Sequence, residues 1–245
     1  STFSAAELLA VLYYRTLRLD PANPRWPGRD KFLLGKGHIG VGLWPILADL
    51  GYFPAAWLDD FGKMDAPLTD HPSMREVPGV DFSSGALGHN LSVGVGMCLA
   101  SRFRGGDDRT FVLLGDGELH EGQVWEAAMS AAHYRLGNLV AIVDANGTSA
   151  DGPTSDVMNI EPVRGRFEAF GWRAVEIDGH DVPRIVATLD ALPDARTDVP
   201  TVIVARTVKG KGVSFMETSP REWHLGFLGP DDRQRAEDEI RSRMS

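Results

Sequence analysis

The tripeptide Gly115-Asp116-Gly117 follows an apolar run, Phe111-Val112-Leu113-Leu114, and leads into "ELHEGQVWEAAMSAA". A second apolar run, "NLVAIVDAN", ends at Asn146. Short apolar runs bounded by turn residues read as buried strands. Asp116 and Asn146 then each stand at a strand end, and adjacent parallel strands would bring both side chains to one edge of a sheet. One carboxylate and one amide oxygen hold a free cation weakly. They suit Mg2+ or Ca2+ that also takes oxygens from a diphosphate, because hard cations fill their shells with oxygen. Gly115 and Gly117 would leave bare backbone for phosphate to approach, and a helix beginning near Glu121 would offer free N–H groups. Gly-Asp-Gly alone serves equally well as an ordinary turn, so its meaning depends on the surrounding elements.

Those elements alternate. "TFVLLGD" reads as a strand, residues 121–134 as a helix, and "NLVAIVDAN" as a second strand. "VRGRFEAFG" gives a helix, "WRAVEID" a third strand, "DVPRIVATLDAL" a helix and "PTVIVARTV" a fourth strand. The strand runs are continuously apolar, as in a parallel sheet covered on both faces. The expectation is a doubly wound α/β fold, mainly parallel, with helices on both faces and ligands at the carboxyl ends of the strands. Upstream, residues 4–18 have helical spacing, and "FLLGKGHIGVGLWPILADLGYF" reads as a Gly-rich turn before a buried helix. "PAAWLDDFG" reads as a short helix opened by Pro54, and residues 62–84 as a long functional or disordered loop. "LGHNLSVGVGMCLASRF" is apolar on nearly every helical face and is expected to be buried.

A chain of 245 residues with 43% hydrophobic and 24% charged content fits a globular enzyme domain. No internal repeat or linker divides it, so residues 1–245 are expected to form a single domain. The one cysteine, Cys98, excludes a disulfide framework and makes a cytoplasmic location the expectation. No apolar run approaches the roughly 20 residues of a membrane span. The N-terminal helical segment lacks the basic start and cleavage site of a signal peptide. A formal charge of −9 argues against a nucleic-acid partner.

"GDG" followed by "AN" at 145–146, with a helix and a strand between, resembles the thiamine-diphosphate fingerprint. The flanking text resembles the transketolase family over nearly the whole chain. "GKGHIGVGLWPILADLGYF" is similar to its Gly-His turn and following helix, and "DHPSMREVPGVDFSSGALGHNLSVGVGMCLA" to its His-Pro, Pro-Gly and Ser-Gly-x-Leu-Gly stretch. "GDGELHEGQVWEAAMSAAHYRLGNLVAIVDANGTSADGPT" and "TVKGKGVSFME" continue the match in order. The resemblance covers only the family's first, diphosphate-binding domain.

Residue by residue, the resemblance implies that Asp116, Asn146 and the backbone carbonyl of Thr148 bind the metal, Mg2+ or Ca2+. It implies that Gly117 donates to the diphosphate, with Gly115 and Glu118 beside it, and that Gly85 and Leu87 lie against the cofactor rings. His38 and His71 would line the route to the thiazolium carbon, with His38 also touching the cofactor; His224 would join them among the catalytic residues, as would Glu121, reaching across the interface between subunits. His89, His120 and His133 keep an ordinary solvated or packing role, and His180 in "IDGHDVP" is expected to cap a turn after the third strand. Lys209 and Lys211 could approach a phosphate or sit in an exposed loop.

In this class a glutamate on a second, pyrimidine-binding domain activates the cofactor, and this chain shows no such domain. The resemblance therefore implies one chain of a split, two-chain enzyme, expected as a heterotetramer, that moves a two-carbon unit from a ketose or ketose phosphate. Alternatives are transfer of that unit to a lipoyl group or carrier protein, or a non-catalytic scaffold. Three positions depart from the family: Leu225 stands where a second histidine is expected after His224, Asn90 where glycine is usual, and Ser73 where an acid is usual. The family's earlier Gly-His turn would fall before residue 1. Leu225 in particular points to altered substrate use, since leucine cannot donate to a phosphate or to ketose oxygens.

Overall fold

The computed structural model describes residues 2–224, 226 and 228–244. From the N-terminus, α1 (Ala6–Val11) continues as a wider turn over Leu12–Thr16, and its leucines are buried. Strand β1 (Lys31–Leu34) and α2 (Gly40–Asp49) come next. Residues 55–60 form the short helix expected after Pro54, wound as a 3-10 helix. The segment from 61 to 88 contains neither strand nor α-helix and is anchored by the buried Leu68 and Val77. Then follow α3 (His89–Phe103), β2 (Thr110–Gly115), α4 (Gly122–His133), β3 (Leu139–Ala145), the short α5 (Thr154–Val157), α6 (Val163–Ala169) and β4 (Arg173–Asp178). Last come α7 (Val182–Asp190), β5 (Thr201–Arg206), the short α8 (Ser214–Thr218) and α9 (Pro230–Met244).

The sheet has five strands in the order β1-β2-β3-β5-β4, and every pairing is parallel. Alternation within each strand sends Phe111 and Leu113 to one face and Val112 and Leu114 to the other. One face is covered by Leu8 and Leu9 of α1, Trp44 and Leu47 of α2, and Ile185 and Leu189 of α7. The opposite face is covered by Leu91 and Val95 of α3, Val124 and Ala128 of α4, and Phe167 of α6. Double coverage explains why the strands read as unbroken apolar runs. The sheet is the doubly wound α/β arrangement expected from the sequence, and its carboxyl edge carries Gly115, Ala145 and Arg206.

Two expectations need correction. "FLLG" is not part of a Gly-rich turn: Lys31–Leu34 pairs with β2 as a fifth strand, burying Phe32, Leu33 and Leu34. Its four residues are too few to show a period in the sequence. On strand order the sequence is silent: β5 inserts between β3 and β4. Helix α3 is not buried all round. It packs Leu91, Val95 and Cys98 inward, while Leu99 is partly exposed and Phe103 is 95% exposed.

Candidate cofactor site

Gly115 pairs with Asp144 across β2 and β3, so Asp116 and Asn146 leave the sheet side by side at its carboxyl edge. Asp116 Oδ2 accepts the Gly147 N–H at 2.5 Å and Oδ1 accepts the Gly117 N–H at 2.9 Å, which ties the two exit loops together. Asn146 Oδ1 accepts the Thr148 N–H at 3.1 Å. Burial raises the Asp116 carboxyl above the ordinary carboxylate range against the pull of these two N–H groups, with Asp144 adding to the rise. A cation beside it would reverse that shift.

These residues line a cavity of ≈ 220 Å³ together with Lys36, His38, Leu87, Glu121, Lys209 and His224. That is below the ~300–1,000 Å³ of an enclosing ligand pocket, so the walls present can cradle one end of a larger molecule. Among the described residues no group of three or more His, Cys, Asp or Glu side chains could hold a metal. One carboxylate, one amide and one carbonyl are a poor cage for a free ion and a reasonable half-shell for an ion shared with phosphate oxygens. The donor set therefore fits a metal–diphosphate pair.

Two of the cavity's histidines, His38 and His224, are neutral in this environment. Burial, reinforced by the Lys36 charge and His224, lowers His38 to about 3. Burial and the neighbouring Lys209 charge lower His224 to about 4. Their ring centroids lie 5.6 Å apart. Lys209 Nζ donates to His224 Nδ1, which leaves the His224 ring proton on Nε2, and it stands 3.5 Å from the Thr148 carbonyl. Burial first and then the Lys36 charge lower Lys209 to about 8.

Not every expected residue meets at this cavity. His71 stands outside its lining and packs instead beside Gly85, where a Cβ would be 3.7 Å from His71 Cδ2. Leu87 is partly exposed at the mouth. Glu118 lines the cavity with both carboxylate oxygens engaged by backbone. It is buried, its Oε1 accepts the Gly88 N–H at 3.0 Å, and its Oε2 accepts the Gly115 N–H at 3.1 Å. It braces the turn, with its carboxyl pushed up to about 7 by burial. Glu121 follows the 3-10 turn Gly117–His120 and is the N-cap residue of α4, so the helix begins where the sequence suggested. Its exposed side chain makes no hydrogen bond among the described residues. Asn90 donates to the Leu34 carbonyl at 2.7 Å and to Ser84 Oγ at 3.0 Å, tying α3 to the β1 exit. Ser73 accepts the Val77 N–H through its carbonyl and opens a turn. Leu225 lies outside the described residues.

Two residues that the sequence pattern left unassigned are central here, Lys36 and Asp144. Both are buried and they form an ion pair. A charged pair inside the strand-end runs "LLGKG" and "IVDAN" was the available signal.

Residues 1–240 match the family model described as transketolase, thiamine diphosphate binding domain. The chain belongs to the transketolase family. It is 41% identical over 216 residues to the 6-deoxy-6-sulfo-D-fructose transketolase subunit SqwG of Clostridium sp. (strain MSTE9), covering 88% of this chain and 78% of that relative. It is 39% identical over 241 residues to an apulose-4-phosphate transketolase subunit from Phocaeicola vulgatus, covering 98% of this chain and 85% of the relative. The crystal structure of transketolase from Campylobacter jejuni superposes with a TM-score of 0.87 at 29% identity, covering 95% of this chain and 37% of that one. This transketolase-family chain thus spans most of the length of single subunits of split enzymes and about a third of the longer transketolase chain. It is a thiamine diphosphate binding chain of the transferase type. No helix among the described residues is long and apolar enough to cross a membrane.

Proposed function

We propose that this chain holds thiamine diphosphate through Mg2+ or Ca2+ bound by Asp116, Asn146 and the Thr148 carbonyl, and that with a partner chain it transfers a two-carbon ketol unit from a ketose. The observation that carries the reading is the Asp116–Asn146 pair at one sheet edge, beside a cavity with walls for only part of the cofactor. The cofactor supplies, when bound, a nucleophilic thiazolium carbon and an electron sink for the two-carbon unit. The chain supplies the setting. Lys209 offers a positive charge at the diphosphate end, Leu87 an apolar wall, and the neutral His38 and His224 rings donate and accept hydrogen bonds to substrate oxygens. His224 would do so from Nε2–H, its Nδ1 being engaged by Lys209.

The partner follows from what is open. Glu121 stands exposed at the cavity rim, and the outer side of α3 and α4 exposes Leu99, Phe103 and Met129. Apolar side chains at helix surfaces gain by burial against another surface. The partner is proposed to carry the pyrimidine-binding domain and its activating glutamate, in a heterotetramer. Two of the relatives described above are named for a ketose bearing a sulfonate and for a ketose phosphate, and we assign this chain the same class, a ketose with an anionic end group.

The test is reconstitution. The purified chain should turn over no ketose until a chain with the activating glutamate is added. Full two-carbon transfer by the isolated chain would refute the split-site reading.

A further inference from the structure

The β4 exit turn Asp178-Gly179-His180-Asp181 takes no part in the chemistry above, yet it grips the segment that follows β5. The Gly179 N–H donates to the Arg206 carbonyl at 2.8 Å. A Cβ on Gly179 would collide with Thr207 Cγ2, so only glycine allows the two exits to pack this closely. His180 Nε2 accepts the Val208 N–H at 2.9 Å, which puts the ring proton on Nδ1. That nitrogen lies 3.1 Å from Glu7 Oε1 on α1, and the side chain is 11% exposed. The turn is held at both ends: Asp178 Oδ1 accepts the His180 N–H at 2.8 Å, and Asp181 Oδ1 caps α7 by accepting the Arg184 N–H at 3.0 Å.

The gripped segment has one site residue on each side of Val208. Thr207 Oγ1 donates to the buried Asp144 carboxylate. Lys209 Nζ reaches the Thr148 carbonyl and His224. Val208 itself is partly exposed, and the hydrogen bond of its N–H to the His180 ring is the tie between the path of the segment and the β4 exit.

We propose that His180 is a positioning residue: by accepting the Val208 N–H it sets the path of residues 207–209 and holds Lys209 at the diphosphate end of the cavity. This rests on the cofactor reading given above. The position of Lys209 is sensitive to such a tie because the ammonium is enclosed and has few alternative placements. Without the acceptor, the Val208 N–H turns to water, the segment gains freedom, and the charge is no longer held in place.

Three variants separate this from a general packing role. His180→Ala removes the acceptor. His180→Asn keeps a polar group toward Glu7 but is too short to reach Val208, and it replaces the alanine variant if that one fails to fold. His180→Gln places an oxygen near the Nε2 position and should restore the bond. Hydrogen exchange on the full chain should accelerate at residues 207–212 in the alanine and asparagine variants, with β2 and β3 protection unchanged, and return toward wild type in the glutamine variant. Calorimetric titration of the assembled enzyme with thiamine diphosphate and Mg2+ should show affinity weakened about tenfold, on the scale of one lost hydrogen bond. In a Lys209→Ala background the same His180 change should have little further effect. Unchanged exchange at 207–212 would overturn the tie. An equal loss of affinity with and without Lys209 would overturn action through Lys209. Lys209→Ala with wild-type affinity, while exchange still responds to His180, would place the failure in the cofactor reading of Lys209 rather than in the tie.

Discussion

The Lys36 side chain crosses Gly115 to pair with the Asp144 carboxylate, joining the exits of β1 and β3 over the strand between them. A Cβ on Gly115 would stand 3.2 Å from Lys36 Cδ, so the first glycine of Gly-Asp-Gly makes room for a lysine as well as lining the cavity. Lys36 is 3% exposed and Asp144 0%. Ser4 Oγ donates to the same carboxylate at 2.7 Å, and Thr207 Oγ1 donates to its other oxygen. Burial alone would raise the Asp144 carboxyl, but the Lys36 charge and these donors outweigh it and hold it below the usual range.

Breaking this pair from one side should be costly. Asp144→Asn leaves the Lys36 charge buried without its counter-charge and should destabilise the fold by about 3–5 kcal/mol in denaturant unfolding. The Lys36→Met, Asp144→Leu double variant should lose less than the sum of the two single changes. Because the folded Asp144 carboxyl is depressed, its contribution is present above the unfolded value and is lost as pH falls through the folded one. Wild type should therefore lose stability below about pH 4 that the double variant does not lose.

Asp116→Ala should abolish the metal dependence of cofactor binding. With the single carboxylate gone, Mg2+ keeps only neutral protein oxygens, and affinity of the assembled enzyme should fall on the order of 100-fold, at the upper end for disturbed metal sites. Calorimetry with and without Mg2+ checks it. Equal affinities for variant and wild type under both conditions would remove Asp116 from the site.

Glu121→Ala should leave folding nearly unchanged, within about 0.5 kcal/mol, since the side chain is exposed and makes no hydrogen bond among the described residues. Turnover of the reconstituted enzyme should drop on the order of 100-fold, the scale of a lost proton-handling group. A loss of thermal stability matching the loss of turnover would point to a packing role.

His38 should remain neutral in the folded chain from pH 7 down to about pH 4, given a value lowered to about 3 by burial and the Lys36 charge. Ring signals in NMR titration should not move over that range. The unfolded chain takes up the proton near pH 6.5, so this histidine contributes stability that is lost as pH falls from there toward 3. His38→Gln should lack that component of the acid sensitivity.

Local information was enough for part of this protein. The unbroken apolar runs of β2, β3 and β5 could only be strands covered on both faces, because each strand's alternate residues had to be buried on opposite sides. Asp116 and Asn146 were legible as a pair because each closes such a run. Tertiary structure decided the rest. The sheet order placed β5 between β3 and β4, which no spacing along the chain encodes, and this brought Thr207 and Lys209 to Asp144 and His224. Which backbone groups a polar residue of the turn engages was likewise decided in three dimensions. Glu118 sits next to Gly117 in sequence, yet its two oxygens are taken by the N–H groups of Gly88 and Gly115. The Lys36–Asp144 pair shows why: each is a charge inside an apolar strand-end run, but nothing along the chain says which charge partners which, and a buried charge is stable only where the fold supplies its partner.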